Sequence, residues 1–129
     1  MRAERCTGEP LAAALLAAFS ATVVVVLGPP AIDAPAHLYR TELVREGIHL
    51  WDNLWYAGQY PLASYSFLYY LPAALVGNVP LVAAAVVVSA ALFASLLLHE
   101  WGEIGRWPAR AYGLLAGGPL LTGTYSYAL

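Results

Sequence analysis

The sequence predicts an all-α fold of polytopic transmembrane helices, with one or more short interfacial helices in the first outer loop. Hydrophobic residues make up 60% of the 129 residues and charged residues 11%, whereas charged residues are about 25% of an average soluble domain. The apolar residues also form long blocks, because 11–32 and 53–98 contain no charged residue. A soluble domain of this size could not bury both blocks, so we expect a single membrane domain over residues 1–129.

The charge balance argues against nucleic acid as a partner. The net charge is −2, and the six basic residues, all arginines, form no cluster, whereas binding to phosphate backbones needs clustered positive charge. The single cysteine, Cys6, cannot form an internal disulfide. The lipid bilayer is therefore the first predicted partner.

The first predicted span covers about 11–30. Its helix is expected to stop at Gly28-Pro29-Pro30, because tandem prolines lack the N–H groups that continue a helix. An alternative is a cleaved signal peptide, with Arg2 and Arg5 in the basic region and Ala34-Pro35-Ala36 as the cleavage site. The apolar run exceeds the roughly 7–15 residues usual in signal peptides, which favours a retained span.

The uncharged run 53–98 cannot be one span, because as a helix it would be ~69 Å long against a hydrocarbon core of ~30 Å. Its prolines and the Gly77 break predict a short interfacial or re-entrant segment at 64–76 and a full span at about 79–98. A polar loop at 99–110 then leads to a third span at about 111–129. Since proteins rarely stop inside a span, we expect the chain to be the N-terminal fragment of a larger protein.

Arginine density predicts the orientation. Two arginines lie in the first ten residues and two in 99–110, against two in the longer segment 33–63. By the positive-inside rule, the N-terminus is cytoplasmic and the loop 33–77 faces outward from the cell membrane.

Asp33 is the candidate catalytic residue of this loop. It precedes Pro35, which is tolerated in a first helical turn, so a helix is predicted from Ala34 to about Glu46, ending near Gly47. At the outer end of the first span, the Asp33 carboxylate could take a proton from an approaching hydroxyl. The alternative is that Asp33 only caps the helix.

The same helix carries further candidate binding residues. His37 lies one turn after Asp33 and could orient it or donate to a phosphate; alternatively it is a solvated interfacial histidine. Arg40 and Arg45 could bind an anionic head group, although such arginines more often pair with neighbouring glutamates, here Glu42 and Glu46. A divalent metal at Asp33 and His37 would need a third ligand from His49 or Asp52, so no cofactor is predicted with certainty and a metal stays an alternative.

Aromatic residues are concentrated just beyond this helix. Eight lie between Trp51 and Tyr70. Aromatic faces suit sugar rings or a polyprenyl chain, but aromatic belts at the interface are also a general feature of membrane proteins.

The order of residues in the outer loop resembles the N-terminal part of GT-C-type polytopic membrane glycosyltransferases. It looks most like the multi-pass membrane family labelled as pyruvoyl-tetrahydropterin-synthase-related. The resemblance covers 11–98 and is carried by Asp33, His37 and Arg40, followed by Gly47, Trp51-Asp52, Tyr56, Gly58 and Tyr60-Pro61.

The resemblance implies an enzyme that transfers a sugar from a polyprenyl-phosphate carrier on the outer face of the membrane. It makes Asp33 the candidate acid/base and His37 and Arg40 candidate phosphate contacts, with Trp51, Asp52 and Tyr60 as further candidate substrate-binding residues. Two departures are that Pro35 occupies the second position of the family's paired acidic motif, and that the family has many more than three spans. The competing hypothesis is a non-catalytic multi-pass protein, such as a transporter part or an assembly subunit.

Overall fold

The computed structural model describes residues 8–48 and 66–128, and all regular secondary structure in these ranges is helical. The all-α prediction is therefore confirmed for this part of the chain. The helices are α1 (Glu9–Leu27), α2 (Ala34–Arg45), α3 (Phe67–Val76), α4 (Asn78–Trp101), α5 (Arg106–Leu115) and α6 (Gly118–Thr122), with 3-10 helices at Gly102–Gly105 and Tyr125–Tyr127.

Helices α1 and α4 are long and apolar enough to cross a membrane. They have 19 and 24 residues, which corresponds to lengths of ~28 Å and ~36 Å. Both coincide with predicted spans. Helix α1 ends as expected before Pro29 and Pro30, with the Gly28 N–H donating to the Val24 carbonyl at 2.9 Å.

Small side chains form the contact between α1, α4 and α5. Ala13, Ala17 and Ala21 of α1 follow one another at intervals of one turn and are at most 3% exposed. Gly113 of α5 lies so close to α1 that a Cβ there would be 2.6 Å from the Ala13 carbonyl oxygen. Such small residues allow helix backbones to approach closely in membrane bundles.

The helices run in alternating directions between the two ends of the bundle. At the Glu9 end, the start of α1 contacts Arg106 and Arg110 of α5. At the opposite end, called the Asp33 end, residues 24–31 lie close to Val79 and Leu120. Helix α4 is therefore antiparallel to α1, and α5 and α6 return along α1.

The segment 99–110 is helical, so the predicted polar loop was wrong. Helix α4 continues to Trp101, the chain turns at Gly102 with φ +59°, and a 3-10 helix leads directly into α5. Gly105 packs so closely against α4 that a Cβ there would be 2.7 Å from the Leu97 carbonyl oxygen, so the tight connection requires a residue without a side chain at this position.

The region of the third predicted span, 111–129, contains no single continuous helix within its described residues. The helical segment starts earlier, at Arg106, and is divided into α5 and α6 at Gly117-Gly118-Pro119. Pro119 cannot donate a backbone hydrogen bond into α5, which accounts for the break. That this segment crosses the membrane stays a prediction.

Helices α2 and α3 pack together at the Asp33 end. Helix α2 begins at Ala34 as predicted and ends at Arg45. Gly47, at φ +83°, donates to the Val44 carbonyl at 3.0 Å, and Ile48 donates to the Leu43 carbonyl at 2.8 Å, which is a Schellman ending. Helix α3 has only ten residues, too few to cross a bilayer.

Candidate functional site

A buried group of polar and aromatic side chains lies at the Asp33 end, where α2, α3, α4 and the second 3-10 helix meet. We call it the His37 cluster. Each of its members is at most 5% exposed. They are His37, Thr41, Tyr69, Tyr70, Asn78 and Tyr125.

The imidazole of His37 is surrounded by tyrosine rings. Its Nδ1 lies 2.9 Å from the Tyr70 hydroxyl. The rings of Tyr70 and Tyr125 stack on it at centroid distances of 5.8 and 5.3 Å, and Tyr69 approaches edge-on at 5.7 Å. These contacts join α2 to α3 and to the C-terminal 3-10 helix through one side chain.

Asn78, the first residue of α4, connects the other members of the cluster. Its Oδ1 accepts a hydrogen bond from the Tyr69 hydroxyl at 2.8 Å and lies 3.0 Å from the Thr41 hydroxyl. The Thr41 hydroxyl is also 2.7 Å from the His37 carbonyl. Because a threonine has one hydroxyl proton, it donates to one of these two oxygens at a time.

Burial keeps the His37 cluster uncharged. It lowers the pKa of His37, and the repulsion by Arg40 lowers it further, while attraction by Asp33 partly opposes both. Burial also raises the pKa of the Tyr69 phenol. At neutral pH the imidazole is therefore neutral, and the Tyr69 phenol keeps the proton that it donates to Asn78.

Asp33 lies beside this cluster but is exposed. It occupies the N-cap position of α2, yet its side chain makes no capping hydrogen bond. Its backbone N–H donates to the Thr122 carbonyl at 3.4 Å, and a Cβ on Gly123 would lie 2.8 Å from the Asp33 nitrogen. The backbone of Asp33 is thus held by the α6 region, while its carboxylate is open to a reacting group.

The other candidate residues of α2 have different surroundings from those expected. His37 is buried and bonds to Tyr70, so the alternative of a solvated histidine was wrong. Arg40 is 5% exposed. Arg45 pairs with Glu42 at 3.1 Å and donates to the Ala74 carbonyl, in line with the pairing alternative. The roles of His37 and Arg40 as phosphate contacts stay predictions.

Trp51, Asp52 and Tyr60, and the possible metal ligand His49, lie outside the described residues. Within 8–48 and 66–128, no three His, Cys, Asp or Glu side chains lie close enough together to hold a metal ion. The metal alternative, which required residue 49 or 52, stays untested.

Two adjoining hollows lie along α1, and one of them extends to the segment just before Asp33. An open apolar groove of about 540 Å³ runs between α1 and α4. A second cavity, of about 270 Å³, lies at the end of α1 and extends to Ala31, two residues before Asp33. Val25 and Val79 line both, so the groove continues into the cavity. We call this second hollow the Tyr125 cavity, since Tyr125 also lines it.

A charged group at the Glu9 end was missed by the sequence reasoning. Glu9 accepts hydrogen bonds from Arg106 and Arg110, each at 2.8 Å to Oε1. Two features of the sequence could have indicated it. Arg106 and Arg110 are one helical turn apart, and Glu9 is a single carboxylate at the start of an apolar helix, where a charge requires a partner.

The sequence reasoning also missed Asn78 and Tyr125. Asn78 was treated only as part of a break between helices, although an amide flanked by apolar segments requires hydrogen-bond partners.

Comparisons of the chain with protein-family models, with curated proteins and with solved structures find no match.

Proposed function

We propose that this chain forms all or part of a multi-pass membrane glycosyltransferase of the GT-C type. It transfers a sugar from a polyprenyl-phosphate carrier to an acceptor hydroxyl on the outer face of the membrane. In this reaction the acceptor oxygen attacks the anomeric carbon, Asp33 takes the hydroxyl proton, and the bond to the carrier breaks to release polyprenyl phosphate.

The exposed apolar surface supports a membrane location. In α1, 17% of the most apolar 18-residue stretch is buried, and in the α4 region 28% of the corresponding stretch is buried. The core helix of a soluble protein is instead mostly buried. Bulky side chains point away from the bundle and small ones face inward, as expected in lipid. Exposed examples are Leu11, Leu15, Phe19, Val26, Leu92 and Leu96.

The packing of α1 supports its retention as a span. Its alanines form the centre of the bundle against α4 and α5, so removal of α1 as a signal peptide would expose that core. Both arginines of α5 lie at the same end of the bundle as Glu9, the first residue of α1, which fits a cytoplasmic Glu9 end and an outward Asp33 end.

The observation that carries the proposal is the groove between α1 and α4. Its lining is made of alanine and valine side chains with one threonine, which suits an isoprenoid chain. Through Val25 and Val79 it continues to the segment just before Asp33. A carrier lipid in this groove would bring its sugar phosphate to the Asp33 carboxylate.

The test is Asp33→Asn, assayed in liposomes containing the full-length protein, a panel of polyprenyl-phosphate hexoses and acceptor sugars. We expect loss of polyprenyl phosphate release with normal membrane insertion, since the amide cannot take the proton. Glu46→Gln is the matched control, because Glu46 is an exposed carboxylate at the other end of α2. Equal release by Asp33→Asn and wild type would remove Asp33 from the mechanism.

One observation favours the non-catalytic alternative. His37 and Arg40, which the resemblance places at the phosphate, are both buried, as expected of side chains that hold α2 in place. Under this alternative, the wild-type liposomes release no polyprenyl phosphate with any carrier of the panel.

A further inference from the structure

Only a few atoms in the wall of the Tyr125 cavity are polar. Its lining consists of apolar side chains and glycine, apart from Tyr125. Polar atoms in its wall therefore belong to the backbone or to the Tyr125 phenol. The lining residues are Val24, Val25, Gly28, Pro29, Pro30, Ala31, Val79, Leu120 and Tyr125.

The phenol of Tyr125 is the unusual element of this wall. The residue is 5% exposed, and its ring stacks on His37. Within the described part of the chain, its hydroxyl has no hydrogen-bond partner, and its oxygen is not among the fully enclosed polar atoms that lack one. The hydroxyl therefore keeps some accessible surface and can bond to a group inside the cavity.

The end of α1 supplies complementary acceptors. The carbonyl of Val25 would normally pair with the N–H of residue 29, but Pro29 has none, and the same holds for Val26 and Pro30. The helix thus ends with carbonyl oxygens that have no backbone donor in the next turn. Of these two residues, Val25 lines the cavity. A donor from Tyr125 and an acceptor from Val25 together match a sugar hydroxyl, which both donates and accepts.

From these observations we infer that the Tyr125 cavity is a binding subsite for one hexose ring, with a sugar hydroxyl bonded to the Tyr125 phenol. The volume of about 270 Å³ is that of a small ligand site, near the lower limit of ~300 Å³ for typical pockets. Ala31, two residues before Asp33, forms part of the wall, so a ring in the cavity lies close in the chain to the candidate catalytic residue. The inference rests on the proposed function and adds the position of the sugar.

The test is Tyr125→Phe in the full-length protein in lipid nanodiscs. This change removes one oxygen and keeps the ring that stacks on His37. Tyr127→Phe is the matched control, because Tyr127 belongs to the same 3-10 helix but is 84% exposed. The probes are polyprenyl phosphates carrying labelled glucose, mannose or galactose, the bare polyprenyl phosphate, and the free methyl glycosides.

We expect Tyr125→Phe to weaken binding of a sugar-bearing probe by about tenfold, the loss typical of one hydrogen bond, and to leave bare polyprenyl phosphate unaffected. A loss confined to the lipid-linked sugars assigns the ring to the donor, and a loss confined to the methyl glycosides assigns it to the acceptor. Unchanged binding of every sugar by Tyr125→Phe, or no binding of any sugar by the wild type, overturns the subsite.

A protection measurement locates the ring without relying on Tyr125. In a Cys6→Ser background, Ala31→Cys places a thiol in the cavity wall, and Ile32→Cys places one at a neighbouring position that is 88% exposed. The bound sugar should slow labelling of the first thiol and not of the second; equal labelling of the first with and without sugar contradicts the subsite. If transfer continues and depends on Asp33 while both measurements fail, the subsite alone is wrong.

Discussion

The carboxylate of Glu9 accepts two hydrogen bonds from the guanidinium of Arg110, from Nε to Oε2 at 2.9 Å and from Nη2 to Oε1 at 2.8 Å. The two residues are 101 positions apart in the chain, so this forked pair joins the first turn of α1 to the second turn of α5. The Glu9 side chain is 6% exposed. It therefore separates two guanidinium groups that would otherwise face each other without a counter-charge.

We predict that Glu9→Gln destabilises the bundle. The amide keeps the size of the side chain but leaves Arg106 and Arg110 without a neutralising charge, and breaking a partly buried ion group in this way is costly. Thermal unfolding in detergent should show a Tm lower by about 5 °C. Glu103→Gln, which removes an exposed carboxylate of the adjacent 3-10 helix, should leave Tm unchanged; equal effects of the two variants would show that Glu9 has no special role.

A second prediction concerns the contact of α5 with α1. Gly113→Ala adds a methyl group that would meet the Ala13 carbonyl oxygen at 2.6 Å, so the helices must separate, at a cost of about 1–3 kcal/mol. Gly118→Ala is the matched control, since a Cβ there meets nothing within 4 Å. We expect the first variant to lower Tm and the second to keep or slightly raise it; a stable Gly113→Ala would contradict the close packing.

The ends of α1 and α2 and the start of α4 could be predicted because their signals are local. Pro29 and Pro30 end α1 through the missing N–H groups. The order Asp33-Ala-Pro35 begins α2, and Gly47 ends it in the left-handed conformation that glycine adopts readily. Length alone identified α4 as a helix able to cross a bilayer.

The His37 cluster could not be predicted, because its partners are distant in sequence. Tyr70 follows His37 by 33 positions, and Tyr125 lies after three further α-helices, α4, α5 and α6. His37 and Thr41, four residues apart, share one face of α2 and are both buried, but spacing within α2 does not reveal what covers that face. The same limit hid the contact of Glu9 with α5.

A third prediction is a loss of stability in mild acid that depends on His37. Burial lowers the pKa of His37 in the folded protein below the ordinary value of 6.5, so between these two values the unfolded chain binds more protons. Stability is therefore complete above about pH 6.5 and falls as the pH decreases through the window below it. The groups around the imidazole are Asp33, Arg40, Tyr69, Tyr70 and Tyr125.

The measurement is Tm between pH 8 and pH 5. His37→Gln should lower Tm at pH 8, because the stacking with the tyrosines is lost, and should flatten the decrease below pH 6.5. His99→Gln is the control, since the His99 side chain is 84% exposed, and it should keep the wild-type profile. If the decrease of Tm below pH 6.5 stays steep in His37→Gln and disappears in His99→Gln, the decrease is caused by His99, and the prediction for His37 is wrong.

The last prediction is that the two ends of the bundle face opposite sides of the membrane, with the Asp33 end outward. Glu46 and Glu103 are exposed carboxylates at the Asp33 end and the Glu9 end, and neither lies in the interior of α1 or α4. In a Cys6→Ser background, an impermeant thiol reagent should label Glu46→Cys in intact cells and should label Glu103→Cys only after permeabilisation. The reverse pattern would place Asp33 in the cytoplasm and contradict transfer on the outer face. Labelling of both in intact cells would show that the Glu9 end is not separated from the outside, and would contradict a membrane-spanning bundle.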